Sequence, residues 1–398
     1  MVRGTSKATS VFSRLASGVW RLASARTSCA LQTRAPLFFA MTYAIAAAGT
    51  GGHVFPGLAV GEALVALGVP QPDILFVGGA RLESQIYPAA GFPFLSVEVA
   101  GLQRRLTAAN LRIPAVVVAA VRRVTRELRS REVAVMLGMG GYVSVPAGLA
   151  ARRSRAVLML HEQNAEAGLA NRTMSRFAIR TFGSFPKTAR LPLAKWVGNP
   201  VRSAIARFDR PGLKPFAHER YGLDPQRPVV GVFGGSLGAG VLNRAVESLA
   251  AVSGEGNFSI LHLTGADHLE AVAQSAARFP GWRTVGFEDR MELFYAACDL
   301  VVARAGGAVA ELAATATPAI LVPGGFGSGD HQAANANALA AAGAAVVVGE
   351  PELGSLPLIV TSLLADRDQL QVMAAATSKL SRPDAADVIA RAMRKAHE

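Results

Sequence analysis

From residue 41 onward, short apolar runs alternate with helix-length segments, and three of those runs end in a cluster of glycines. Such alternation is what a parallel sheet requires, because each parallel pair needs a crossover, usually a helix. In the first unit, residues 43–48 read as a buried strand and Gly49-Thr50-Gly51-Gly52 as a tight turn. Residues 56–67 read as the following helix, with His53 between turn and helix. Backbone N–H groups in a turn of this kind point outward, and no Cβ keeps an anionic ligand away. The plain alternative is a structural turn carrying a surface histidine.

The same reading gives further strands at 73–77, 92–99, 133–137, 156–160 and 179–182, the last closing the first half, with a helix opened by Pro114 between residues 104 and 131. A proline-rich stretch at 195–227 reads as an interdomain linker. A second series follows at 229–233, 258–264, 283–287, 300–303, 319–322 and 345–348, and a last helix at 385–395 is expected to cross back onto the first half. The expected organisation is a domain at 41–200, a domain at 201–380, and a C-terminal helical segment at 381–398. Two Rossmann-like α/β domains face each other across a cleft, with ligands at the carboxyl ends of the strands.

A chain of 398 residues exceeds the usual size of a single core, and 51% hydrophobic residues fit a large buried interior. No stretch reaches the roughly 18 to 20 apolar residues needed to cross a bilayer, so a soluble or peripheral protein is expected. The net charge of +13 points to an anionic partner, whether nucleic acid, phosphate-bearing substrate or lipid headgroups. Residues 1–40 hold six of the positive side chains and no acid, leaving +7 for the rest. That basic extension reads as a targeting segment, a secretory signal, or a misassigned stretch upstream of a start at Met41. The third reading is preferred, then a disordered tail, and the segment is expected to be dispensable. The two cysteines, Cys29 and Cys298, show neither a paired framework nor metal spacing.

The glycine turns are Gly49-Thr50-Gly51-Gly52, Gly138-Met139-Gly140-Gly141 and Gly234-Gly235-Ser236-Leu237-Gly238. None fits the dinucleotide fingerprint or the Lys-Ser/Thr ending of a nucleoside-triphosphate loop. Three in register with strand ends nonetheless argue for phosphate binding more strongly than one. His161-Glu162-Gln163-Asn164 begins like a zinc-protease helix but lacks the second histidine. Asp366-Arg367-Asp368 reads as a solvated helix end. Glu311 falls in the first turns of a helix after a strand, suited either to the helix dipole or to clamping two ribose hydroxyls. Asp330-His331-Gln332-Ala333-Ala334-Asn335 follows a glycine-rich loop and offers the mixed donors and acceptors that sugar hydroxyls need.

Six ordered motifs together resemble the MurG family, from about residue 41 to the C-terminus. They are Gly51-Gly52-His53-Val54-Phe55-Pro56, Gly138-Met139-Gly140-Gly141-Tyr142-Val143-Ser144, His161-Glu162-Gln163-Asn164, Gly198-Asn199-Pro200-Val201-Arg202, Gly234-Gly235-Ser236-x-Gly238-Ala239 and Asp330-His331-Gln332. The resemblance implies a GT-B glycosyltransferase that transfers N-acetylglucosamine from UDP-N-acetylglucosamine (UDP-GlcNAc) to lipid I, giving lipid II for peptidoglycan. Lipid I is undecaprenyl-pyrophosphoryl-N-acetylmuramoyl-pentapeptide. The implied location is peripheral, at the cytoplasmic face of the bacterial cell membrane. No cofactor, metal or nucleic acid is implied; the anionic inner membrane surface and other cell-wall synthesis proteins are implied partners.

On this resemblance the C-terminal domain holds the donor. Ser236 and its turn face the UDP diphosphate, Arg202 and Asn243 match further donor positions, Glu311 holds the ribose, and the backbone near Phe287 and Glu288 the uracil. Gln332 and Asn335 take the N-acetylglucosamine hydroxyls, and His331 stands where some members carry glutamine. Thr50, Gly51, Gly52 and Asn164 approach the donor from the other side. The acceptor diphosphate falls to the turns at Gly51, Gly52, Gly140 and Gly141 with His53 and Tyr142, and His53 and Asn164 lie close to the reacting sugars. The family usually carries one residue more between the positions of Arg304 and Glu311.

The C4 hydroxyl of the muramoyl sugar must attack the anomeric carbon opposite UDP, with inversion. A neutral imidazole can accept its proton, which makes His53 the candidate base and Glu162 the second. Turn amides, helix N-termini and Arg202 suit the charge growing on UDP, so activity is expected without a divalent ion. Leu106, Leu111 and Ile113 interleaved with Arg104, Arg105 and Arg112 read as a membrane patch or as core packing beside a basic face. The alternatives are another UDP-sugar transferase, a sugar-nucleotide epimerase, or a basic nucleic-acid module. Aromatic residues at only 7% argue against the last.

Overall fold

The computed structural model describes residues 42–98, 113–235, 238–253, 257–324 and 331–396. The basic extension at 1–40 lies outside the described residues, as do Leu106, Leu111, Arg104, Arg105, Arg112, Ser236 and Asp330. Within them, β1 (Thr42–Ala46), β2 (Ile74–Gly78), β3 (Phe94–Ser96), β4 (Val133–Gly138), β5 (Val157–Glu162), β6 (Arg180–Gly183) and β7 (Lys195–Trp196) form a seven-stranded sheet in the order β3-β2-β1-β4-β5-β6-β7. A six-stranded sheet follows, ordered β10-β9-β8-β11-β12-β13. Its strands are β8 (Val229–Phe233), β9 (Ser259–Leu263), β10 (Trp282–Val285), β11 (Leu300–Ala303), β12 (Ala319–Leu321) and β13 (Ala345–Val347). All pairings are parallel. Each order reverses beside its first strand, at β1/β4 and β8/β11, and crevices open at the carboxyl ends of such switch points.

The central strands are short and apolar because both faces are covered: every residue of β1 and of β8 is buried. The covering helices are α1 (Gly51–Ala66), α2 (Glu83–Ala89), α3 (Ile113–Ser130), α4 (Ser144–Ser154) and α5 (Leu169–Met174) in the first half. In the second they are α6 (Ser203–Ala206), α7 (Arg210–Tyr221), α8 (Gly240–Ser253), α9 (Leu269–Ala276), α10 (Met291–Ala297), α11 (Ala308–Ala314), α12 (His331–Ala341), α13 (Leu356–Ala365) and α14 (Arg367–Lys379). The last helix, α15 (Ala385–Lys395), buries Ile389, Ala390 and Met393 in the core cluster that holds Val54 and Leu58 of α1. Arg394 Nη1 donates to the Leu67 carbonyl at 2.9 Å, closing the end of α1. No helix among the described residues is long and apolar enough to cross a membrane.

Two local expectations are corrected. Helix α1 begins at Gly51 rather than Pro56, because Thr50 is extended and its carbonyl already accepts from Val54 N at 3.2 Å. Pro56 then sits inside the helix, where its missing N–H forgoes one bond to the Gly52 carbonyl. Gly51, Gly52 and His53 therefore form the first helical turn.

The stretch at 195–227 is not an unstructured linker. It supplies β7 as the seventh strand, so β6 does not close the first sheet, and then α6 and α7. Its prolines misled because proline is well placed in a first helical turn: Pro211 stands there, behind the Asp209 cap whose carboxylate accepts from Gly212 N at 3.3 Å.

Candidate active site between the two sheets

Strand β5 shows how the first sheet aims its side chains. His161 and Glu162 point to opposite faces, as successive strand residues must, and the alternation persists through Gln163 and Asn164. His161 and Gln163 turn toward the crossover: His161 Nε2 lies 2.9 Å from the Gly198 carbonyl and its Nδ1 lies 3.0 Å from Gln163 Nε2. That pairing fixes a neutral ring with its proton on Nε2, and burial pulls its pKa down to about 4. Glu162 and Asn164 turn the other way. The buried Glu162 carboxylate accepts from Asn164 N, Asn164 Nδ2, Gly168 N and Asn171 Nδ2 at 2.9–3.1 Å. A carboxylate with both oxygens so engaged organises its loop, and a role as second general base does not fit it.

His53 stands in the first turn of α1 above the second glycine turn. A Cβ built on Gly140 would lie 3.3 Å from His53 Nε2 and 3.4 Å from Asn171 Nδ2. On the other side of the ring, Nδ1 is 3.3 Å from the Thr50 hydroxyl. Loss of solvent lowers the His53 pKa below 6.5; the charges of Glu162 and Glu83 oppose that shift and His331 adds to it. Tyr142, from the Gly140-Gly141 turn, donates to the buried Glu83 at 3.2 Å. Glu83 also accepts from Gly79 N at 2.9 Å and Gly49 N at 3.4 Å. Sequence reasoning missed this residue, which resembles any acid in a first helical turn.

The second sheet contributes the opposite wall. Arg202 Nη1 donates to the Asp289 carbonyl at 2.6 Å, Nη2 lies 3.6 Å from Glu311 Oε1, and the guanidinium stacks 5.1 Å from the Phe55 ring centre on α1. Glu311 in α11 accepts from Tyr295 at 3.0 Å. Gln332 Oε1 receives Gly324 N at 2.9 Å, leaving its amide N–H groups. Arg304 supports that loop from beneath, donating to the Val322 carbonyl at 3.1 Å and pairing with Glu350 at 2.6 Å. His331 opens α12, half-buried, its Nδ1 without a hydrogen-bond partner among the described residues. Phe287 is exposed.

Two side chains expected at the donor, Asn335 and Asn243, have partners within the protein, as does the carboxylate of Glu288, of which only the backbone was expected to meet the uracil. Asn335, fully buried, donates to the Ala305 carbonyl at 3.0 Å and to Asn164 Oδ1 at 3.2 Å and accepts from Ala165 N at 2.8 Å. It clamps the two halves together, with both amide N–H groups and one lone pair of the oxygen already engaged. Asn243 bonds the Thr264 carbonyl at 2.9 Å and His262 at 3.1 Å. The Glu288 carboxylate lies between Tyr221, at 2.7 Å, and Arg220, at 3.2 Å.

The two walls also meet as bare backbone. A Cβ on Gly307 would lie 3.0 Å from the Gly52 Cα, a separation real Cβ atoms hardly tolerate. The first turn of α1, with His53, thus abuts the residue that precedes α11, with Glu311. The contact falls within the 304–311 segment. Among the described residues, no cluster of His, Cys, Asp or Glu has a metal-holding arrangement.

Two parallel-sheet, Rossmann-like domains with facing carboxyl ends are the GT-B arrangement. The model of the glycosyltransferase family 28 N-terminal domain matches residues 43–182, and that of the family 28 C-terminal domain matches residues 229–389. A curated relative from Halorhodospira halophila is 42% identical over 355 residues, covering 88% of this chain and 96% of its own. Its name is UDP-N-acetylglucosamine–N-acetylmuramyl-(pentapeptide) pyrophosphoryl-undecaprenol N-acetylglucosamine transferase. The crystal structure of Acinetobacter baumannii MurG superposes with a TM-score of 0.72 at 28% identity, covering 89% of this chain and 99% of that one. A UDP-GlcNAc 2-epimerase from Neisseria meningitidis, at 13% identity and a TM-score of 0.62 over 89% of this chain and all of its own, shares the fold alone. The chain belongs to glycosyltransferase family 28 and, within it, to the MurG family.

Proposed function

We propose that this glycosyltransferase moves N-acetylglucosamine from UDP-GlcNAc to the C4 hydroxyl of lipid I, forming lipid II with inversion. The observation that carries the reading is the backbone contact between Gly52 and Gly307, which sets His53 of one wall beside the Glu311 helix of the other. The relative named for this transfer, matched over nearly its whole length, supports the same substrates.

In the mechanism, Nδ1–H of His53 donates to the Thr50 hydroxyl and Nε2 is left as the base above Gly140. It takes the proton of the attacking hydroxyl as the sugar–UDP bond breaks. Burial keeps the ring neutral beforehand, and the nearby charges of Glu162 and Glu83 favour the imidazolium that forms. Glu311 receives the ribose hydroxyls once Arg202 turns from it to the leaving diphosphate, whose charge the first turns of α8 and α11 also face. Gln332 meets the donor sugar through its free amide N–H groups. The acceptor diphosphate rests on Gly51, Gly52 and the Gly140-Gly141 turn.

The lipid-linked acceptor places the protein peripherally on the cytoplasmic membrane face, in reach of other cell-wall synthesis proteins. Helix α3 supports this, exposing Arg122, Arg123, Arg126 and Arg129 beside Val118; the Ile113 side chain lies outside the described residues. Incubation with labelled UDP-GlcNAc and a lipid I analogue is expected to yield a lipid-linked disaccharide. Hydrolysis or epimerisation of the donor without that product would overturn the reading.

A further inference from the structure

In the second half the buried Glu288 and the partly buried Glu311 and Glu350 each sit against an arginine, but Glu83 does not. It is completely buried at the start of α2, and no ion pair among the described residues involves it. Its partners are Gly79 N at 2.9 Å, Gly49 N at 3.4 Å and the Tyr142 hydroxyl at 3.2 Å. Each partner lies beyond the end of a different strand: Gly49 after β1, Gly79 after β2 and Tyr142 after β4. These strands are hydrogen-bonded neighbours in the order β2-β1-β4. The packing leaves little play, since a Cβ at Gly78 would come 2.7 Å from Glu83 Cγ and one at Gly79 would run into the Tyr142 hydroxyl.

A buried carboxylate loses solvation, and charge-assisted bonds to N–H and O–H donors offset that loss. One anion thus adds hydrogen bonds between turns that otherwise meet through the sheet behind them and by packing of Gly141 on Ala48 and of Tyr142 on Gly49. Two of those turns, after β1 and β4, carry His53 and the Gly140-Gly141 backbone.

We propose that Glu83 is a positioning residue of the transferase reaction: it fastens to each other the two acceptor-side turns, which carry His53 and the Gly140-Gly141 backbone. This rests on the function proposed above. The amides of Gly49 and Gly79 are already taken by Glu83, so the acceptor diphosphate is left to Gly51, Gly52 and the turn after β4. The charged groups acting on His53 are Glu162 from β5, Glu83 from α2 and His331 from α12; His161, deeper in β5, is also coupled to it. Glu83 is among those that favour the protonated ring, so its neutralisation lowers the His53 pKa.

The test uses the full chain with Glu83→Gln, Glu83→Asp and Tyr142→Phe. Glu83→Gln keeps the shape and removes the charge. It is expected to lower kcat/KM for the lipid I analogue by roughly 10- to 100-fold, as small misplacements at a reacting centre do. UDP-GlcNAc affinity should stay within about twofold of wild type, since no donor contact is touched. The acid limb of the pH profile, and the pKa of His53 followed by NMR, should both move to lower pH, which a merely structural loss would not produce. Glu83→Asp keeps the charge on a shorter arm and should restore the limb but not the full rate. If Glu83→Gln does not fold, Tyr142→Phe decides, with the acceptor KM raised several-fold and the limb unmoved. An unmoved His53 pKa in Glu83→Gln, or an unchanged acceptor KM in Tyr142→Phe, would overturn the proposal. The NMR titration needs no turnover, so it tests Glu83 even if the wild-type chain forms no lipid-linked disaccharide.

Discussion

The two halves share a topology but handle the acids that are buried or partly buried near the site in opposite ways. In the first, Glu83 and Glu162 are held by backbone amides, asparagine and tyrosine. In the second, Glu288, Glu311 and Glu350 lie 2.6–3.6 Å from Arg220, Arg202 and Arg304. A carboxylate bound by amides fixes the backbone around it, whereas one paired with a mobile guanidinium can exchange that partner for a ligand. The acceptor wall is therefore preorganised, and the donor wall is charged and exchangeable.

The sharpest break in this comparison comes at the acceptor wall. His53→Ala should lower turnover by about 10² to 10⁴, the usual worth of a general base, with UDP-GlcNAc affinity nearly unchanged by calorimetry. Glu162→Gln comes next. One amide N–H would be forced against the donors that Glu162 now accepts from, disturbing Asn164 and Asn171, so kcat/KM should fall roughly 10- to 100-fold without loss of the folded state.

Substitutions at the meeting of the walls should separate closure from chemistry. Gly307→Ala, which drives a Cβ to 3.0 Å from Gly52, should cost roughly tenfold in kcat/KM for the donor. Gly306→Ala meets nothing within 4 Å and should leave the rate near wild type. Equal effects of the two would show that the contact does not matter.

The smallest effect belongs to the donor wall. Glu288→Ala leaves the Tyr221 hydroxyl unpaired, an expected loss of about 1 to 3 kcal/mol in urea unfolding with acceptor kinetics unchanged. Burial raises the Glu288 pKa, but hydrogen bonds from Tyr221 and Arg290 N and the charge of Arg220 outweigh it and hold the group below the usual 4.5. Its contribution to stability is therefore complete above about pH 4.5 and lost as pH falls through the folded value, and the alanine variant should lack that part of the acid transition.

Much of the fold was legible because strand and helix periods differ and both halves repeat the alternation. The helix at 385–395 was expected to cross back onto the first half, and its packing on α1 rests on Ile389 and Met393. The stretch at 195–227 was misread because prolines in first helical turns look like linker punctuation. At the site, His53, Glu311 and Arg202 could be singled out from their motifs. Asn335 could not be told from a sugar-binding amide, since its clamp spans 171 positions to Asn164. Glu83 was invisible for the same reason: its partners Gly49 and Tyr142 lie 34 and 59 positions away, and no local pattern encodes them.

The preorganised acceptor wall stands or falls with His53 as its base, and the pH dependence of kcat/KM for the lipid I analogue tests this most directly. Only the neutral ring accepts a proton, so the wild-type rate should fall as pH drops through an apparent pKa below 6.5, the side to which burial shifts His53. The residual activity of His53→Gln should lack that limb. The same limb persisting in His53→Gln would contradict the account.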